Sequence, residues 1–220
     1  NKISIKIMYN LVIFTFYYIL ILVSIVGYGL FFLKILKVKL DFINLGYVGL
    51  FGIYILIIYS YFSNFFISHN EFHNLAIHFI GLILFTYLIK QKYSEYKSEI
   101  IFFFIVFIIL FCALFQFKNH DDFSYYHFPY TYYLTQQSLY IGVGQFNHGF
   151  RTPSSIFYIN SLFHLPYAKF YLLNFFSIFI LGFANIILLK KIHNYFKFLS
   201  IKDIQLNFIH FLSLLSFIFI

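Results

Sequence analysis

The chain has 220 residues, 62% of them hydrophobic and 10% charged, with a mean hydropathy of +0.85 and a formal net charge of +8. A soluble domain carries about 25% charged residues, and a water-soluble fold could not hide this much apolar surface. Composition therefore excludes a soluble globular enzyme and implies a polytopic membrane protein.

The apolar runs do not alternate with polar residues, as strands of a membrane barrel would. The expected fold class is all-α: a transmembrane helix bundle of about six spans, with 1–220 read as one helical domain. The lysines flank the apolar runs, the pattern of loops that meet anionic lipid, so membrane lipids are expected partners. No basic cluster is long enough to mark a nucleic-acid surface. Cys112 is the single cysteine, which excludes an internal disulfide and a Cys-based metal site. The chain begins at Asn1 and stops inside an apolar run at Ile220, and it reads as a piece of a longer protein.

In chain order, the first span is predicted over 7–33 and ends at Lys34, Lys37 and Lys39. The second covers 42–67, where Gly46, Gly49 and Gly52 offer close approach to another helix. A polar turn over 68–74 follows. It contains His69 and His73, spaced to share a helical face but too few to hold a metal alone, and it reads as a hydrated loop. A shorter apolar run, 75–89, contains His78, and Lys90, Lys92 and Lys97 come next. Further spans are predicted over 100–117, 170–189 and, beginning a sixth, 204–220.

Ten of the fifteen basic residues lie in 34–39, 90–97 and 190–202, which fall on one side if all six runs span. Short lysine-rich loops stay cytoplasmic. The segment 119–166 is then extracytoplasmic.

That segment is the only long one that is not plainly hydrophobic. It holds Asp121 and Asp122, the solitary arginine Arg151, all three prolines and four of nine histidines. Pro129 suits an early helical position, and the tyrosine-rich run to Tyr140 reads as a helix lying in the membrane interface. Gly142, Gly144 and Gly149 interrupt regular structure. The stretch 156–165 is apolar but too short to span. It reads as a second interfacial or re-entrant helix, capped by Ser154 or Ser155 and ended by Pro166.

Paired carboxylates at a membrane surface have a use. One can take a proton from an acceptor hydroxyl, while the other orients it or binds a divalent cation, Mg2+ or Mn2+. The same pair can equally be a solvated helix cap. In a chain with fourteen lysines, one arginine suggests a planar grip on phosphate or carboxylate; contact with lipid headgroups is its plainer reading. His127 and His148 can bind phosphate or move protons. The glycines lack the spacing of a nucleotide loop, and no hydrolase elbow is present.

HDDFSYYHFP followed by GVGQFNHGFRTPSS resembles bacterial polytopic membrane proteins of cell-surface polysaccharide synthesis, similar to the GT-C class of integral-membrane glycosyltransferases. The resemblance covers about 45 residues. It implies a catalytic carboxylate on an extracytoplasmic loop and a polyprenyl-phosphate sugar as donor. Asp121 and Asp122 match the acidic motif; Tyr126, His127 and Pro129 match its aromatic part; Asn147, Gly149 and Arg151 match the second half. Here four predicted spans precede the acidic loop, where that class places it after the first.

The expected function is transfer of a sugar from a lipid-linked donor to a saccharide or lipid acceptor. Asp121 and Asp122 would be catalytic, and His127, Asn147, His148 and Arg151 would bind substrate. A transporter or flippase for a lipid-linked saccharide is the alternative, and a non-catalytic membrane subunit is the third reading.

Overall fold

The computed structural model describes residues 2–38, 44–90, 93–115, 122–151, 153–168, 170–173, 175–198 and 212–213. All regular structure among them is helical. Seven α-helices run in order: α1 (Lys2–Ile35), α2 (Leu45–Asn64), α3 (Glu71–Lys90), α4 (Tyr93–Ala113), α5 (Phe128–Gln136), α6 (Ser155–Ser161) and α7 (Phe175–Phe198). Five contain segments long and apolar enough to cross a membrane: Met8–Ile35, Leu45–Asn64, Glu71–Lys90, Tyr96–Ala113 and Phe175–His193. The protein is thus an all-α membrane helix bundle. The sixth predicted span lies outside the described residues apart from 212–213.

α3 is longer than the apolar run predicted for it, because its first turn is polar. Asn70 accepts the His73 backbone N–H at 3.0 Å, and Glu71 sits at the positive end of the helix. That turn extends the helix to 20 residues, about 30 Å at 1.5 Å per residue, enough to span.

Small residues set the packing. An added Cβ on Gly27 of α1 would lie 2.0 Å from the Gly81 carbonyl oxygen of α3. One on Gly52 of α2 would lie 1.9 Å from the Ile25 carbonyl oxygen of α1, and one on Gly49 would meet the Phe183 ring of α7. The glycine triplet predicted to admit a helix therefore admits two, α1 and α7. Backbones in contact gain dispersion energy where lipid supplies no hydrophobic drive. An aromatic core of Tyr18, Phe107, Phe179 and Phe183 fills the space towards α4, and Tyr18 donates its hydroxyl to the Phe107 carbonyl at 2.8 Å.

The same contacts give helix directions. Gly27 meets Gly81 and Ser24 meets His78, so α1 and α3 are parallel, whereas Gly29 meets Val48 and Ile25 meets Gly52, so α2 is antiparallel to them. Lys190 of α7 pairs with Glu99 near the start of α4. Lys34, Lys90 and Lys190 thus share one end of the bundle, and Ala113, at the end of α4, lies at the other.

Candidate functional site

The segment from Asp122 to His164 is a built cap on that other end, not a loose loop. Its first piece is a π-helical turn, Phe123–His127, which runs directly into α5 with Pro129 in the first helical turn. Such wide turns recur at functional sites. α5 and α6 enclose a small core of Tyr130, Leu134, Phe157 and Tyr158, with Tyr130 and Tyr158 hydroxyls 3.1 Å apart. Burial raises both phenol pKa values above the usual range, so they act as hydrogen-bonding groups and not as anions.

Backbone bonds stitch this cap to the α2–α3 connection. His69 N–H donates to the Leu134 carbonyl at 3.0 Å, and Leu139 N–H to the Asn64 carbonyl at 2.8 Å. Ser154 caps α6, accepting from Ile156 N–H at 3.3 Å, as expected from the sequence. α6 and the turns after it then run into the bundle, where Ile159, Leu162, Phe163 and Leu165 are fully buried.

The two halves of the sequence motif meet. Gly149 packs directly on Tyr126, where an added Cβ would lie 2.3 Å from the Tyr126 Cβ. On one side of this contact, Tyr126 donates its hydroxyl to Asp122 Oδ2 at 3.5 Å, and the His127 ring lies 5.2 Å from Phe157. On the other, Asn147 accepts the Gly149 N–H at 2.9 Å, shaping the turn that presents His148 and Arg151. Asn147 thus has a local structural task in addition to the binding role expected of it. Arg151 is exposed, and its Nε donates to the Gly144 carbonyl at 3.3 Å. Asp121 lies outside the described residues, as does His120. Among the described residues, no group of three or more His, Cys, Asp or Glu is placed to hold a metal ion.

The structure also contains a polar cluster that the sequence reading took for a hydrated loop. His69 is fully buried. Ser161 donates its hydroxyl to the Tyr158 carbonyl at 2.7 Å, so its oxygen accepts His69 Nδ1–H at 2.6 Å, leaving His69 Nε2 to accept from Ser63 at 2.9 Å. Burial, helped by nearby His73, pulls the His69 pKa down to about 3, so the ring is neutral. Asn74 donates to three carbonyls, those of His69, Ser161 and His164, at 2.7, 2.8 and 2.9 Å. His78 donates Nε2–H to the Leu162 carbonyl and accepts from Ser24, both at 3.1 Å.

These bonds replace the hydration that the sequence suggested, because α6 covers the turn and supplies the partners itself. A signal was present: Asn74, His78 and Gly81 recur at helical spacing along an apolar helix, and all three are buried. His164 is the member left short. Its Nε2 is 3.7 Å from Glu71 Oε1, its Nδ1 has no partner among the described residues, and burial lowers its pKa against the opposing pull of Glu71.

These features define a class: a helical membrane protein whose re-entering segment is locked into the bundle and carries a polar motif on its exposed side. A scan against protein-family models finds no match for the chain, and neither the curated proteins searched nor the solved structures searched yield one.

Proposed function

We propose that this chain is part of an integral-membrane glycosyltransferase, resembling the GT-C class, that works at the outer face of a bacterial cytoplasmic membrane. The donor is a polyprenyl-phosphate sugar and the acceptor a saccharide or lipid hydroxyl. The observation that carries the reading is the seating of Gly149 on Tyr126. It joins the half of the motif that contains Asp122 and His127 to the half that contains Asn147, His148 and Arg151.

The chemistry follows from the groups. An aspartate of the 121–122 pair takes the proton of the acceptor hydroxyl as its oxygen bonds to the anomeric carbon. The bond from that carbon to the phosphate oxygen breaks, and polyprenyl phosphate leaves with the electron pair. Charge grows on the phosphate at that moment, and Arg151, with His127 or His148, is suited to stabilise it. Attack opposite the leaving group inverts the anomeric centre. The clustering of lysines at the far end of the bundle supports an outward-facing motif.

Replacing Asp121 and Asp122 together by Asn tests this. Incorporation of labelled sugar from a polyprenyl-phosphate donor is expected to be abolished while membrane insertion is unchanged. A well-inserted double variant that still transfers sugar rejects the mechanism. A wild-type chain that moves a lipid-linked saccharide without transferring it favours the flippase reading.

A further inference from the structure

The turn that follows α5 is apolar on its exposed side. Ile141 is 100% exposed, Phe146 88% and Tyr140 60%. The turn is nevertheless built, not loose. Gly142 takes a left-handed φ of 91°, a conformation that a residue without a side chain adopts freely. Val143, Gln145 and Phe146 donate their N–H groups to the Tyr140, Gly142 and Val143 carbonyls at 3.3, 2.9 and 3.1 Å. Leu139 and Val143 are its inward residues, and both pack on the small core of Tyr130, Leu134, Phe157 and Tyr158.

The depth of the turn is set by α2. Tyr61, in the last turn of that span, packs on the same core and stacks on Tyr158 at 4.0 Å. Leu139 N–H bonds to the Asn64 carbonyl, at the end of the span, at 2.8 Å. The turn therefore lies beside the last turn of a membrane span. The exposed apolar surface of α2 leads to it: Tyr54, Ile58 and Phe62 follow one another at helical spacing, and Phe65 and Phe66 continue past Asn64. From Phe123 to Phe150 the chain has no Asp, Glu, Lys or Arg, so contact with lipid desolvates no formal charge there. The next charge, Arg151, is exposed and donates from Nε to the Gly144 carbonyl within the turn at 3.3 Å. An apolar body beside a cationic head is the pattern of segments that lie at headgroup level.

We propose that the turn Tyr140–Phe146 is a lipid wedge. Ile141 and Phe146 enter the boundary between headgroups and acyl chains in the leaflet at the capped end, with Tyr140 at the headgroups. The partner is the phospholipid bilayer itself, met as a continuation of the exposed side of α2. The N–H groups bonded within the turn lower the cost of leaving water. The wedge needs only the membrane bundle and stands or falls apart from any sugar transfer at the motif.

The chain has no tryptophan, so one introduced indole is the sole reporter of depth. Ile141→Trp and Phe146→Trp place it on the turn, at exposed positions, and Ile58→Trp places it nearer the middle of α2 as a deep reference. Each variant is held in nanodiscs of phosphatidylcholine, whose two faces both meet the buffer, with and without bromine on the acyl chains. Quenching by iodide and by bromolipid is read against N-acetyltryptophanamide in water. At 141 and 146 the emission is expected to be blue-shifted, quenched by bromolipid and shielded from iodide, at a shallower depth than at 58. Adding Ile141→Asp to the Phe146→Trp chain is expected to return the emission to the red and restore iodide quenching, with the thermal midpoint unchanged. Iodide quenching at 141 equal to that of the free indole overturns the proposal. So does shielding from iodide without bromolipid quenching, which marks a protein partner or a second copy, and so does an indole at 146 that ignores Ile141→Asp.

Discussion

The two polar clusters at the capped end are close in chain content and opposite in circumstance. Around Asn74, histidines, serines and an asparagine are buried and engaged with one another. Around Gly149, Asp122 is half-buried and His148 and Arg151 are exposed, with mostly local hydrogen bonds. The difference separates two uses of polar residues in an apolar chain. Apart from His164 Nδ1, the first set has spent its hydrogen-bonding capacity on holding α6 inside the bundle. The second presents donors and acceptors outward from a scaffold that the first set keeps rigid, the arrangement that ligand binding requires.

The sharpest way to break the comparison is Asn74→Leu. It removes the side-chain donor from three buried carbonyls, of which that of Ser161 keeps only the His164 N–H at 3.3 Å, and a loss of about 3–5 kcal/mol of stability is expected. Detergent-denaturation midpoints and proteolysis near α6 measure it. If the variant is as stable as wild type, the buried cluster does not lock α6.

Gly149→Val acts on the other cluster. Its side chain overlaps Tyr126, so the two motif halves must part while the bundle stays folded. A misplacement of about 1 Å costs roughly 10²-fold in rate, and that loss is expected in the sugar-transfer assay with an unchanged midpoint. Arg151→Lys keeps the charge but removes the planar fork, and about a ten-fold loss in transfer is expected with no change in stability.

A further effect is read by pH. His69 has a folded pKa of about 3 against an ordinary value of 6.5. Between those values the unfolded chain binds a proton that the folded chain refuses. Its contribution is therefore complete above pH 6.5 and is lost progressively as pH falls towards 3, by at most about 1.4 kcal/mol per pH unit. His164 shifts in the same direction. In acid titrations of stability, His69→Gln is expected to flatten the slope.

Much of this architecture was legible without coordinates. Long apolar runs can only become helices in lipid, where every backbone N–H needs an internal partner. Gly46, Gly49 and Gly52 announced close contact on one helix. The Ser154 cap and the early Pro129 were readable because both depend on neighbours within a turn. The partners of His69 and His78 were not readable. Ser161 and Leu162 lie 92 and 84 residues away from them in the chain, and no local pattern links residues so far apart.

The amino-acid order by itself determined what is local: an all-α membrane protein, the placement of its long apolar runs, and the one polar segment with a motif in two halves. Tertiary structure decided what each polar side chain is for. Two residues with the same chemistry, His69 and His148, differ only in whether α6 covers them. In a medium of low dielectric constant, that covering turns a titratable group into a fixed hydrogen-bonding strut, while exposure leaves the other available to a ligand.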